Sequence, residues 1–332
     1  MSRNDLVVIA GAGGFIGGHL VAEFRRRGHT RLRAVDIKPF DEWYQRFADV
    51  ENLSLDLSEK LACEQACEGA SQVYNLAADM GGMGFIELNK ALCMLTVLIN
   101  THMLMAARQA GAQRYFFSSS ACVYAAEKQT NAAVTPLRED DAYPAMPEDG
   151  YGWEKLFSER MCRHFSEDFG LETRVARYHN VYGPHGTYDG GREKAPAAVC
   201  RKVIQALLSG SGEIEIWGDG EQTRSFTYID DCVAGTLRLM ESDVAEPLNI
   251  GSDQLVTINQ LVDIVERIAG VQLKRRYRLD APKGVRGRNS DNTLIHDRLG
   301  WTPSIRLEDG MRRTYEWIYG EMTRQAPRAV FV

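Results

Sequence analysis

The sequence predicts an α/β protein: a doubly wound parallel sheet with a smaller C-terminal lobe. Three observations predict it. Short apolar or β-branched runs alternate with helix-period segments through the first half of the chain. A glycine-rich turn follows the first of these runs, and beyond about Arg177 the rhythm breaks into Gly- and Pro-containing stretches between shorter helices.

Taken in order, residues 6–10 (LVVIA) form the continuous apolar run of a strand buried on both faces. A helix over 15–27 follows, with Phe15, Ile16, Leu20, Val21 and Phe24 at helical spacing. Strands are predicted at 32–36, 52–56, 72–76, 115–118 and 173–177, and helices at 59–67, 87–110 and 151–169. Segment 125–150, rich in Pro, Ala, Asp and Glu, is long for a loop, and loops of that length inside a compact domain are often functional. Shorter helices are expected near 195–208, 229–240 and 257–269. The expected division is a cofactor-binding domain over 1–178, to which later segments can return, a substrate-binding lobe over 179–322, and a tail over 323–332.

Net charge is −6 over 332 residues, so no basic field invites nucleic acid or an anionic membrane. Uninterrupted apolar runs fall short of the roughly 20 residues of a membrane span. The start of the chain passes into a strand with no separate apolar leader. The seven cysteines are scattered, and Cys63 and Cys67, one helical turn apart, lack the second pair a zinc site needs. Reduced thiols in the cytoplasm are the expectation, with no metal.

The chemistry begins at the glycine turn. Gly11, Gly14 and Gly17, between a strand and a helix, have the GxxGxxG spacing of a dinucleotide fingerprint, which makes the fold Rossmann-type. The glycines allow the tight turn and the approach of backbone to a pyrophosphate, and the helix N-terminus, beginning at Phe15 and Ile16, offers amides and partial positive charge. Asp36, ending the second strand, suits the adenosine ribose and repels a 2′-phosphate, so NAD is favoured, against which Lys38 stands nearby. Asp56 and Leu57 after the third strand suit the adenine, and Ala77 and Ala78 end the fourth where the cofactor crosses. Each of these also reads as a plain strand-end residue.

Tyr151 and Lys155 stand four apart at the start of a helix, on one face. A phenol is a poor base at neutral pH unless a cation stabilises the phenolate, and Lys155 supplies one. It can also hold the nicotinamide ribose. Ser120, after the fifth strand, can offer its hydroxyl to the same substrate oxygen. This set, in this order, resembles the extended short-chain dehydrogenase/reductase superfamily across nearly the whole chain.

Finer motifs narrow the resemblance. AADMGGMGF (77–85), SSAC (119–122), GGREKAPAA (190–198), WGDG with QTRSF (217–226) and GVRGRNSDN (284–292) are similar to those of the GDP-mannose 3,5-epimerases. Sugar 4,6-dehydratases of the superfamily carry Asp and Glu where this chain has Ala121 and Cys122, which argues against dehydration. The resemblance implies transient oxidation at carbon 4, with Tyr151 as base and Lys155 as its partner. Cys122 and Lys194 are then the proton donor and acceptor on opposite faces of the ring. Taken alone, Cys122 reads as a small buried cysteine and Lys194 as a solvated lysine, though the helix macrodipole disfavours a lysine just before a helix N-terminus. The resemblance further implies Gly81 and Ser120 at the sugar, Asn180, Glu193 and Ala195 beside it, and Lys202, Gln222, Arg286 and Arg288 at the nucleotide. Either arginine suits the diphosphate. Ala125 departs from an expected proline, which predicts a small change in the loop.

The substrates so implied are GDP-mannose and related GDP-hexoses. A homodimer is implied as well, with helices 87–110 and 151–169 packing across a two-fold axis. The competing readings are a 4-epimerase or 4,6-dehydratase on the same fold, and a non-catalytic dinucleotide-binding sensor.

Overall fold

The computed structural model describes residues 3–282 and 284–325. In the first half, strands β1 (Val7–Ala10), β2 (Leu32–Asp36), β3 (Glu51–Ser54), β4 (Gln72–Asn75), β5 (Arg114–Ser120) and β6 (Glu172–Tyr178) are parallel. They alternate with helices α1 (Phe15–Arg26), α2 (Lys60–Cys67), α3 (Met83–Leu88), α4 (Lys90–Gln109) and α5 (Asp149–Phe169). Next come β7 (Val181–Tyr182), α6 (Ala195–Ser209), β8 (Glu213–Trp217), β9 (Thr223–Ser225), β10 (Thr227–Tyr228) and α7 (Ile229–Glu241). The described chain closes with β11 (Leu248–Ile250), β12 (Leu255–Thr257), α8 (Ile258–Ala269), β13 (Lys274–Arg278), β14 (Gly287–Arg288), α9 (Thr293–Leu299) and α10 (Leu307–Gln325).

The main sheet has seven strands in the order β11-β6-β5-β4-β1-β2-β3. The chain reverses its direction of travel between β1 and β4, and the crevice at such a switch point is where open α/β sheets bind ligands. Pleating sorts the side chains. Val7 and Ile9 join Leu20, Val21 and Phe24 of α1 in one core, whereas Val8 and Ala10 join Cys63, Ala66, Met103 and Leu104 in the other. The first core continues without a break into the C-terminal lobe through Ile204, Ile216, Leu261 and Ile318.

The structure refines several predicted elements. The helix expected over 87–110 is broken at Asn89, whose backbone leaves the helical region (φ −130°) while its side-chain amide donates to the Phe85 carbonyl. Strand β11, three residues from the C-terminal half, pairs with β6 through Leu248 and Ala176 and completes the sheet. Helix α10 was not foreseen. Leu307, Met311, Tyr315 and Ile318 carry its helical period, but Gly310, Gly320 and many charges dilute it. It runs through Gln325, so the expected tail is helical at its start, and its remainder lies outside the described residues.

By length and composition α4 is apolar enough to cross a membrane (20 residues, mean hydropathy 1.4). Counting uninterrupted apolar residues missed this because Thr96, Asn100 and His102 punctuate the helix. All three have protein partners: the Thr96 hydroxyl accepts from the Asp79 amide, Asn100 joins a buried network, and His102 Nδ1 donates to the Ser58 carbonyl. The outer faces of α4 and α5 leave Leu95, Leu98, Trp153 and Phe157 exposed, Leu95 by 56%.

Candidate active site

At the C-terminal ends of β1 and β4 the glycine turn packs tightly. Gly11 has φ +83°, and a Cβ on Gly17 would lie 2.2 Å from the Gly11 carbonyl oxygen, so only glycine fits there. Gly14 caps α1 with no side chain on its amides, and no acidic residue stands in the first turn, Phe15 and Ile16 included. Those donors suit the pyrophosphate of a dinucleotide.

Asp36 is buried at the end of β2, where one carboxylate oxygen accepts from the Lys38 amide at 3.0 Å. Lys38 Nζ turns back to the Gly13 carbonyl, 3.4 Å away. Ala77 and Ala78 are half-buried just past β4. Asp56 accepts from the Ser58 amide in a turn beyond β3, and Leu57 belongs to the apolar core. NAD fits this end of the sheet; when bound it supplies a hydride acceptor.

The catalytic candidates meet where β5 ends. Ser120 caps a short 3₁₀ turn over Ala121–Val123, its Oγ accepting from the Cys122 amide at 3.2 Å. The first turn of α5 packs directly on this turn. The Glu148 amide donates to the Cys122 carbonyl at 3.0 Å, and a Cβ on Gly152 would come within 2.3 Å of that same oxygen. This approach sets Tyr151 beside Ser120, Ala121 and Cys122. Burial pushes the Tyr151 phenol well above its usual range, Cys122 and Glu154 add to the shift, and a hydrogen bond with Ser120 opposes it.

Lys155, one turn on, is 1% exposed, with Nζ 5.5 Å from the centre of the Tyr151 ring and 4.8 Å from that of Phe117. Behind it lies a buried polar chain that the sequence did not reveal. Asn75 donates to Asn100 Oδ1 and to the Tyr115 hydroxyl, both at 2.8 Å, and Asn100 donates to Glu154 and to Ser158. Glu154 Oε2 sits 3.8 Å from Lys155 Nζ. Burial raises the Glu154 pKa, and Lys155 opposes that rise.

The opposite wall comes from the C-terminal half. Lys194 ends an extended segment as the cap of α6, which starts at Ala195 with Pro196 in its first turn. Lys194, Glu193, Ala195, Lys202, Gln222 and Asn180 line a cavity of about 260 Å³ together with Gly81, Ser120, Ala121, Cys122 and Tyr151. Desolvation lowers the Lys194 pKa, while Cys122 and Cys232 pull it the other way. The Glu193 carboxylate is occupied by the Gly191 amide (2.7 Å) and Arg201 (2.8 Å). Asn180, at φ +42°, donates to the Ser225 carbonyl, Gln222 to the Trp217 carbonyl, and Lys202 to the Glu215 carbonyl.

The two candidate arginines part company. Arg288 lines the cavity, paired with Glu148, donating to Gln129 Oε1 at 2.7 Å and to the Cys122 sulfur at 3.6 Å. Arg286 lies outside the cavity wall, bound to Asp219 at 2.8 and 2.9 Å. The long loop thus has a use, since its residues Gln129 and Glu148 hold Arg288 from behind. Ala125 has φ −58°, within the range a proline imposes. Sequence reasoning missed Arg224, a buried wall residue two positions after Gln222 in a motif already singled out; burial lowers its pKa to about 10.

Comparison with known proteins places this architecture. Residues 7–251 match the model of the NAD dependent epimerase/dehydratase family. GDP-mannose 3,5-epimerase 1 of Oryza sativa subsp. japonica is 46% identical over 325 residues, covering 98% of this chain and 84% of the rice protein. The enzyme named GDP-mannose 3,5-epimerase in Arabidopsis thaliana is 46% identical over 326 residues, 98% of this chain and 85% of that protein. Among solved structures, UDP-glucose 4-epimerase of Thermotoga maritima, with UDP-glucose, superposes with a TM-score of 0.84 at 26% identity, over 96% of this chain and 99% of that one. With the fingerprint at the switch point, the Tyr151–Lys155 pair beside it and these matches along its length, the chain belongs to the NAD dependent epimerase/dehydratase family.

Proposed function

We propose that the chain converts GDP-mannose to GDP-L-galactose by epimerisation at carbons 3 and 5, and to GDP-L-gulose where carbon 5 alone inverts. One observation carries the reading: a thiol, Cys122, and an amine, Lys194, line the same cavity as Tyr151 and Ser120. Near-full-length similarity to the rice and Arabidopsis epimerases supports it.

The residues divide the work by position. Tyr151, hydrogen-bonded to Ser120, takes the proton of the carbon 4 hydroxyl, and Lys155 stabilises its charge; NAD, held at the glycine turn, would take up the carbon 4 hydride and give it back after inversion. The resulting 4-ketone acidifies the hydrogens at carbons 3 and 5. Inversion needs a proton removed from one face and another delivered to the opposite face, which is the task of Cys122 and Lys194. Arg224, Arg288 and Lys202 suit the diphosphate.

The assembly we propose is a homodimer, formed through the exposed apolar faces of α4 and α5. Seven free buried thiols favour the cytoplasm as its compartment.

The test is incubation with GDP-mannose in heavy water without added cofactor, followed by NMR of the products. Deuterium at carbons 3 and 5 supports the reading. Inversion at carbon 4 without exchange at carbons 3 and 5 points to a 4-epimerase, and loss of water to a 4,6-dehydratase. No turnover with any GDP-sugar, despite bound NAD, points to a sensor.

A further inference from the structure

Two of the nine-residue motifs in the sequence, 77–85 and 190–198, meet in space. The Gly82 amide donates to the Arg192 carbonyl at 3.0 Å, and a Cβ on Gly82 would lie 2.4 Å from the Glu193 carbonyl oxygen. The Arg192 guanidinium lies over the Phe85 ring, 3.9 Å from its centre, with Nη1 3.6 Å from Asp79 and 3.4 Å from the Met80 carbonyl. Phe85 and Met80 pack in turn on the small apolar cluster that contains Cys122 and Tyr151.

Arg192 is two residues before Lys194. Upstream, Gly190 and Gly191 have φ +88° and +84°, with open space where their Cβ atoms would stand, and their amides are held only locally, by the Asp189 and Glu193 carboxylates. Downstream, α6 begins at Ala195. Arg192 therefore joins the segment carrying the amine to the segment packed behind the thiol. Among the described residues, Arg192 is the side chain of segment 190–194 that makes an ion pair and a ring contact with segment 79–85, while Glu193 turns to Arg201.

We propose that Arg192, stacked on Phe85, is a positioning residue that fixes Lys194 relative to Cys122 and thereby decides whether the second inversion occurs before the sugar is returned to its alcohol. The proposal rests on the epimerase reading above. Both inversions use one donor–acceptor pair on two ring carbons, so the pair must keep its spacing while the ketone persists. A shift near 1 Å in a reacting group costs up to about a hundredfold in rate. Beside the backbone bond from Gly82 to Arg192, the exposed ion pair to Asp79 adds little to that hold, and the stack on Phe85 is its main side-chain element.

The experiment measures deuterium entry at carbons 3 and 5, and the gulose-to-galactose product ratio, for the full-length protein and for Arg192→Ala, Phe85→Leu and the double variant. We expect each single variant to retain exchange at carbon 5, lose about tenfold or more at carbon 3, and raise the share of the singly inverted product. The double variant should go no further than either single one, because the two residues act through one contact. Asp79→Asn, which removes the exposed ion pair and leaves Arg192 and Phe85 in place, should keep the wild-type ratio. An unchanged ratio in Arg192→Ala, or additive effects in the double variant, overturns the proposal. Absence of deuterium at both carbons in the wild-type protein overturns the epimerase reading itself, and this proposal with it.

Discussion

Arg288 Nη1 donates to the sulfur of Cys122 at 3.6 Å, while the same guanidinium is held by Glu148 and Gln129. A fixed positive charge thus stands beside the thiol. The group that resembles a small buried cysteine in the sequence is in contact with a cation and faces a cavity. Cys122→Ala should lower epimerisation by about 10²–10⁴, the range of a lost general acid or base. Reduction of bound NAD on adding GDP-mannose should survive, because Tyr151 is untouched. Product NMR and the absorbance of the reduced nicotinamide separate the two steps.

Lys194 gives a prediction with opposite signs for activity and stability. Burial lowers its pKa, so the folded protein holds this proton less tightly than the unfolded chain does. Stability therefore rises with pH from the folded pKa up to the ordinary lysine value, and it is lower at neutral pH than an uncharged side chain would allow. Lys194→Met should raise the melting temperature at neutral pH and remove the alkaline rise, while cutting epimerisation by about 10²–10⁴. A melting temperature that falls, measured by differential scanning fluorimetry across pH, would contradict this.

Tyr151→Phe should behave differently from both. Without the phenol no ketone forms, so deuterium entry should disappear at carbons 3 and 5 together and bound NAD should stay oxidised. Asn100→Ala leaves buried Glu154 without one of its donors, which costs about 1–3 kcal/mol of stability. Chemical denaturation measures the loss.

Two histidines, His179 buried and His19 partly buried, predict acid sensitivity. Burial lowers His19 and His179 from 6.5 to about 4. Between those values the unfolded chain binds protons that the folded protein refuses. Stability should be fully present above pH 6.5 and fall as pH drops toward 4, by about 1.4 kcal/mol per pH unit for each histidine. His19 Nε2 donates to the Pro184 carbonyl at 3.0 Å, and His19→Gln should flatten the slope seen in melting curves against pH.

The outer faces of α4 and α5 make the assembly testable. Leu95→Glu together with Phe157→Glu places charge on the apolar surface where the two-fold contact is proposed. Light scattering should show a dimer for the wild type and a monomer for the variant, with the fold retained because both side chains are at least half exposed (56% and 50%).

What was legible in the sequence shares a physical character. The continuous apolar run at 7–10, the glycine spacing at 11–17 and the four-residue spacing of Tyr151 and Lys155 are local patterns, set by pleat, turn and helix geometry. The hidden parts depend on distant partners. Asn100 is a single polar residue on an apolar helix, and only the fold reveals that Asn75 and Glu154 flank it. Arg286 and Arg288 are two residues apart and alike in type, yet one lines the cavity on Gln129 and Glu148 and the other lies outside it on Asp219, and only these distant partners tell them apart. The break at Asn89 rests on one side-chain hydrogen bond that competes with the helix. Strand β11 is three residues long, too short to announce itself by periodicity.

That short strand bears on how the chain can be divided. A fragment truncated at Tyr178 would strip β11 from residues 176–178 of β6 and leave that edge of the sheet open to any passing strand, an invitation to aggregate. The C-terminal lobe is therefore not a module that can be exchanged by cutting at the end of the sixth strand. New specificities on this scaffold have to arise by editing side chains and loops around a sheet that already spans both halves of the polypeptide.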